Sequence, residues 1–368
     1  MTSNFTYRYL AMTPEHVSGT GVRNYGTASA LNNTDKSGST TDKVFGEVDD
    51  ESIQYRFELL TRGDMSRYSA AKSVNGKEYS EGGINFVAQP DDLLGLCLYG
   101  IYGDDTTNDP PSGAGYTVSG FVHTMKENKA NILPSFTLEV GREAKEHTYT
   151  GMCINRLGIS AAHGEYTTLS VDFVGKRESA LGTLVAAPTY SGVAVDGFHF
   201  AEGEIKFSEA GASGVASTKI KSISIDFNMN LDTDAACAIG DRTYLRQPEP
   251  QMREITGTVE FSEDSTTGGT SIPSYEMLIA EGGKLYDGVT ADPAIKLHFT
   301  NGTQQLVIGI RKVRWEAPTS NVSGRDTQTL SLNFVALVDT ADDIMSETVL
   351  TLTAASSNLA TATKYSQI

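Results

Sequence analysis

At 368 residues the chain is long enough for two domains of ordinary size, each able to bury its own core. Lys and Arg number 29 against 46 Asp and Glu, and the net charge of -17 disfavours a surface built to grip nucleic-acid phosphates, though not one that DNA slides past. Only 20% of residues are charged and 39% hydrophobic, with 36 Gly and abundant Ser and Thr, which fits turn-rich β structure rather than disorder or coiled coil.

Residues 1–50, rich in Gly, Ser, Thr and Asn and without sustained periodicity, read as an arm that packs on other surfaces. Nothing in Met1 to Tyr9 has the basic-then-apolar order of a secretion signal. No window approaches the roughly 18 consecutive apolar residues of a membrane-spanning helix. The chain is therefore expected to stay in the cytoplasm where it is made.

From Ile53, apolar Tyr55, Phe57 and Leu59 alternate with Gln54, Arg56 and Glu58, the period of a strand with one buried face. A polar connection, Thr61 to Gly82, leads to a second alternation at Ile84, Phe86 and Ala88. Pro90-Asp91-Asp92 then precedes Leu93, Leu94, Cys97, Leu98 and Ile101, a stripe that predicts a short helix over 90–102, opened by proline and first-turn acids. Beyond a Gly- and Pro-rich loop come three strand patterns, Phe136 to Val140, Tyr149 to Ile159 and Thr167 to Val174, the last two forming a hairpin around Ala162-His163-Gly164.

The same order returns in the second half of the chain. Pro134 to Gly141 matches Pro293 to Thr300 at an offset of 293 - 134 = 159, and Thr168 to Val174 matches Thr329 to Val335 at 329 - 168 = 161. Ile154 to Ile159 is aligned with Ile310 to Trp315 at 310 - 154 = 156, which sets Trp315 against Ile159. Upstream, Ile223, Ile225 and Phe227 mirror the strand at Ile53, Val259 and Phe261 mirror Ile84 and Phe86, and the segment after Pro273 mirrors the helix. Ile159, Phe173, Trp315 and Phe334 are the core positions this repeat singles out.

No spacing predicts chemistry, so no catalytic, cofactor-binding or metal-ligating residue is expected. The six histidines, at 16, 123, 147, 163, 199 and 298, form no metal-ligand run, and the acidic pairs lack the alternating oxygen ligands of a calcium loop. Gly19-Thr20-Gly21, Gly82-Gly83 and Gly268-Gly269 read as turn glycines. Cys97, Cys153 and Cys237 are too few and too far apart for a disulfide framework or a zinc knuckle. Basic residues in the long connections, Arg62, Arg67 and Lys72 and then Arg242, Arg246 and Arg253, stand beside acids, a mixture that suits subunit contacts more than nucleic-acid binding.

Ser135-Phe136-Thr137-Leu138-Glu139-Val140, Tyr149 to Leu157, and Leu169 to Lys176 resemble the tail tube proteins of siphophages, the long-tailed bacteriophages. Arg253 to Phe261 and Val322-Ser323-Gly324-Arg325-Asp326 extend the resemblance, which spans residues 53–339 and is closest to the duplicated, two-domain type. It implies a mainly β fold of two tandem tail-tube domains, each of two packed antiparallel sheets flanked by a short helix. The expected divisions are an N-terminal arm at 1–50, a first domain at 51–178, a linker at 179–203, a second domain at 204–340 and a C-terminal tail at 341–368.

The resemblance further implies a structural virion protein that self-assembles into stacked rings. Its implied partners are other copies of itself, a tape measure protein, and tail terminator and distal tail proteins, with DNA passing unbound and no membrane involved. The two sets of basic residues would lie in loops that bridge successive rings, and a duplicated chain would fill a pseudo-hexameric ring with three copies. The competing reading is a virion surface protein, a β-sandwich that binds a receptor or carbohydrate.

Overall fold

The computed structural model describes residues 8–15, 44–63, 65–66, 68–69, 72–108, 120–127, 133–185, 188, 190, 196–208, 215–216, 220–244, 246–262, 285–287, 293–302, 304–317, 319–321, 329–338 and 345–353. Alternation builds its main sheet. In the strand Thr168–Gly175, Leu169, Val171 and Phe173 point into the core while Ser170 and Asp172 face out. The first half orders its antiparallel strands Gln54–Arg62, Lys72–Val87, Thr168–Gly175 and Lys145–Ala162. In the second half the order is the same: Ile220–Asn228, Glu254–Ser262, Thr329–Ala336, then Lys312–Trp315 with Thr319–Asn321.

The last strand of the first half pairs with the first strand of the second, Ile159 opposite Ile225. The halves therefore follow one another head to tail in a single sheet. Their registers match as well. Phe173 lies opposite Gly82 and Phe334 opposite Gly257, while Ile84 and Val259 face Val171 and Leu332. A Cβ on Gly257 would fall 2.4 Å from the Phe334 ring, and Gly82 has φ +146, so neither position accepts a side chain. Gly82 and Gly83 thus lie inside a strand rather than in a turn.

A second layer covers the core. The strand Lys145–Ala162, 18 residues long, runs through both layers, its start pairing with Phe136–Arg142 and Glu178–Gly182. Phe136–Arg142 pairs in turn with Tyr9–Pro14, and that strand with Val44–Gly46. In the second half Ile295–Asn301, Gln304–Ile310, Gly203–Phe207 and Met345–Thr353 take the corresponding places. Met345–Thr353 also pairs with Gly120–Glu127, which ties the end of the second half to the first.

The repeat thus includes segments expected as arm, linker and tail. Tyr9–Pro14 escapes a period-two reading because it is buried on both faces. A register correction follows from the same pairings. Trp315 lies opposite Phe334 as Ile154 lies opposite Phe173, an offset of 315 - 154 = 161, and Ile159 corresponds to Ser320, each facing its half's equivalent leucine, Leu169 and Leu330. The offset of 156 fails because the true counterpart of apolar Ile159 is the polar Ser320, so the apolar pattern finds its match five residues too early, at Ile310 to Trp315.

The helix spans Asp92–Tyr102 and is buried on every side, as its nearly uniform apolar sequence requires. Asp91 caps it, accepting from the Leu94 N–H at 2.9 Å, and Gly103 ends it in the left-handed region at φ 80. It packs against Lys145–Ala162, Gly120–Glu127 and Val44–Gly46. The expected counterpart after Pro273 lies outside the described residues.

Two predictions follow. Phe173→Ala or Phe334→Ala, each emptying a buried site, should destabilise by about 3–5 kcal/mol in denaturant unfolding. Burial, assisted by Asp92 and Glu47, pushes the Asp91 carboxyl from 3.8 up to about 7. Because the folded value is the higher one, the folded state binds the proton more tightly, and stability contributed below pH 4 is lost as pH rises through 7. Melting temperature should fall between pH 5 and 8 in the wild type and stay flatter in Asp91→Asn.

Candidate functional site

Outward residues of the main sheet make one polar face that crosses the seam between the halves. Ser170, Asp172, Arg156, Ser224, Asp226, Thr258 and Asn333 lie along it, around a groove of about 730 Å³. Arg156 is the cation at its centre. Its Nε lies 2.7 Å from Asp226 across the seam, and its Nη1 lies 4.0 Å from Asp172 on the other side. These bonds hold the guanidinium more firmly protonated, and they also neutralise it.

The connection expected as a polar loop, Thr61 to Gly82, is instead mostly strand. Gln54–Arg62 and Lys72–Val87 form a long hairpin whose outer part has no buried face. Phe57, Leu59, Leu60 and Val74 are each more than half exposed. Arg62 pairs with Lys72 near the hairpin's tip, and Arg67 lies outside the described residues.

Asn228 to Arg253 takes a different course. It folds back and braces the hairpin: Lys77 sits over the buried Tyr244 ring at 5.1 Å and 3.3 Å from Asp234, and the Glu78 N–H donates to the Arg242 carbonyl at 2.8 Å. Arg242 and Arg246 are exposed on this loop, as are Ile239 and Met252. Arg253 is buried and pairs with Glu127 at 2.7 Å, so it fastens the second half to the first instead of projecting outward. Ile159, Phe173, Trp315 and Phe334 all lie in the core, Trp315 edge-on to Phe334 at 5.4 Å.

Each end of the main sheet presents an edge. At the first, the Ser52 N–H donates to Gly83 at 2.9 Å, which turns the backbone of Ile53 outward. Side chains of the same half cap it. The Ile53 N–H donates to Glu51 at 3.2 Å, and its carbonyl accepts from Arg142, whose guanidinium also grips Glu51 at 2.8 and 2.6 Å. At the other end, Thr319–Asn321 pairs on one side with Thr329–Ala336 and on its other side with no strand among the described residues.

The pairs Arg156–Asp226, Arg142–Glu51 and Arg253–Glu127 are not visible as sequence motifs, since their partners stand 70 to 126 residues apart. Among the described residues no group of three or more His, Cys, Asp or Glu is placed to hold a metal ion, and no helix is long and apolar enough to cross a membrane. The cysteines are free thiols, Cys97 and Cys153 buried and Cys237 half-buried. The chain's residues 10–336 match the family model described as phage tail tube protein. No curated protein matches the chain. Arg253→Ala, which removes the buried guanidinium from the part-buried Glu127, should lower unfolding free energy by roughly 1–3 kcal/mol.

Proposed function

The chain belongs to the phage tail tube protein family, and from that premise we propose that three copies close into a pseudo-hexameric ring, that rings stack into a tube, and that DNA passes through it during ejection. The head-to-tail continuity of the main sheet carries this reading. One half already offers its last strand to the first strand of the next half within the chain. An interface of that kind, repeated between chains, closes on itself and removes both edges. Linkage within the chain keeps each seam's two halves close, so three covalent seams alternate with three non-covalent ones.

The polar face is the lumen wall in this arrangement. DNA carries one negative charge per roughly 1.7 Å of its axis, so an unpaired arginine there would hold phosphates and slow transit. Asp226 and Asp172 keep Arg156 from doing so. The apolar outer hairpin is then the contact to the adjacent ring, with Arg62 and Lys72 near its tip and the Asn228 to Arg253 loop as its brace. Tape measure, terminator and distal tail proteins are the partners this role implies.

Symmetry-resolved electron cryo-microscopy of the tube tests the stoichiometry: three chains per ring is expected, and six would overturn it. Leu59→Ser with Leu60→Ser should change stability by less than about 0.5 kcal/mol, because both are exposed. It should nevertheless yield rings that do not stack; tubes of normal length would assign stacking elsewhere. Asp172→Asn with Asp226→Asn should make assembled tubes retain double-stranded DNA at low salt and release it at high salt, while wild-type tubes retain none.

A further inference from the structure

The edge of the first half that Glu51 and Arg142 cap borders a groove of about 1030 Å³, lined by Tyr9, Glu47, Asp49, Asp50, Glu51 and Arg142 among others. We propose that this groove is a socket for one particular segment of a second copy, residues 322–328, which lie in sequence between its strands Thr319–Asn321 and Thr329–Ala336. The inference rests on the ring reading and goes beyond it by fixing the interface residue by residue.

The counterpart of the groove in the second half is already filled, and by the corresponding turn of the first half. There the His163 N–H donates to the Lys221 carbonyl at 2.8 Å, and the His163 ring lies on Phe200 at 4.8 Å. The Phe200 N–H donates back to the Glu165 carbonyl at 3.1 Å, and Tyr166 bridges to His199. The repeat transfers these contacts to the open groove. Edge strands are offset by 172, since Ile223 faces Val259 as Glu51 faces the equivalent Ile84 (223 - 51 = 172). Turn segments are offset by 161, the spacing of Phe173 and Phe334 (334 - 173 = 161).

Applied to the pairs Ser224 with Ser160 and Ile225 with Ile159, these offsets set Asn321 of one copy opposite Ser52 of the next, and Ser320 opposite Ile53. The outward N–H and carbonyl of Ile53 then exchange Glu51 and Arg142 for a neighbouring strand. Charge follows the same transfer. Lys221 on the lip of the filled groove becomes Asp49, flanked by Glu47 and Asp50, and Gly164 in the inserted turn becomes Arg325, followed by Asp326 where Glu165 stood. An acidic lip thus meets a segment that has gained a cation. A first-half turn, with Glu165 and no arginine, would meet the same lip with like charge, so first halves are steered away from pairing with first halves.

Disulfide trapping tests the register in the full-length protein. Directly opposed residues of antiparallel strands have Cα atoms about 4.5–5.5 Å apart, within disulfide reach, whereas a two-residue offset lies at about 7–8 Å. Ser52→Cys with Asn321→Cys, assembled and then oxidised, should run on non-reducing gels as linked dimers and trimers. Ser52→Cys with Thr319→Cys, and wild type with its native cysteines, should run as monomers. Normal tubes without register-specific linkage would overturn the socket and leave the ring reading standing, whereas wild-type protein that forms no rings would overturn both. As a second variant, Arg325→Glu should reduce the assembled fraction at least tenfold and regain it with Asp49→Arg; unaltered assembly of Arg325→Glu would remove the charge contact from the proposal.

Discussion

The structure depends on a single requirement, that backbone N–H and carbonyl groups along a strand edge must find partners. Each half has two edges in the main sheet, and the chain satisfies one of each internally by laying Lys145–Ala162 against Ile220–Asn228. That seam determines much else. It brings Arg156 of one half within reach of Asp226 of the other, and it seats the turn at His163 against Lys221 and Phe200. A second tie, Met345–Thr353 beside Gly120–Glu127, fixes the same two halves in the covering layer, and the Arg253–Glu127 pair fastens them again.

The edges left over are treated unequally, and physical chemistry supplies the reason. A flat unpaired edge with apolar neighbours templates uncontrolled pairing. At Ile53 the protein answers with a charged clamp, Glu51 on the N–H and Arg142 on the carbonyl. Such a cap satisfies the backbone of the separate subunit yet is replaceable by a strand, which offers the same hydrogen bonds without immobilising two long side chains. Competition between cap and strand therefore tunes assembly without altering the core.

Where alternation was strong, the sequence already contained the architecture. Leu169-Ser170-Val171-Asp172-Phe173 and Leu330-Ser331-Leu332-Asn333-Phe334 announce strand, buried face and duplication together, and the pairings place their phenylalanines over equivalent glycines. Three kinds of element stayed hidden. Tyr9–Pro14 is buried on both faces, so it shows no period. Lys72 to Glu81 has no fully apolar face to display, because its outer length is held by backbone pairing to an exposed strand. The register of Trp315 is hidden because the second half carries Ser320 where the first has Ile159, so apolar matching shifts the strand to the segment that ends at Trp315. The polar site was hidden for a different reason: Arg156 with Asp226, and Arg142 with Glu51, are contacts made by the fold and not by local spacing.

Duplication also frees the halves to diverge, and the connections after their first strands show what that permits. In the first half the connection is an extended hairpin carrying Phe57, Leu59 and Leu60 into solvent. In the second it curls into a compact loop with Tyr244 buried and Lys77 held across it. Were both halves to extend hairpins, their exposed apolar surface would double, with the attendant risk of misassembly. With one extended and one braced, the second stiffens the first at its base, where Lys77 and Glu78 are gripped, and leaves the tip free to make contacts. A chain with identical halves has no means of separating those tasks, because any change that rigidifies one connection alters the other in the same way.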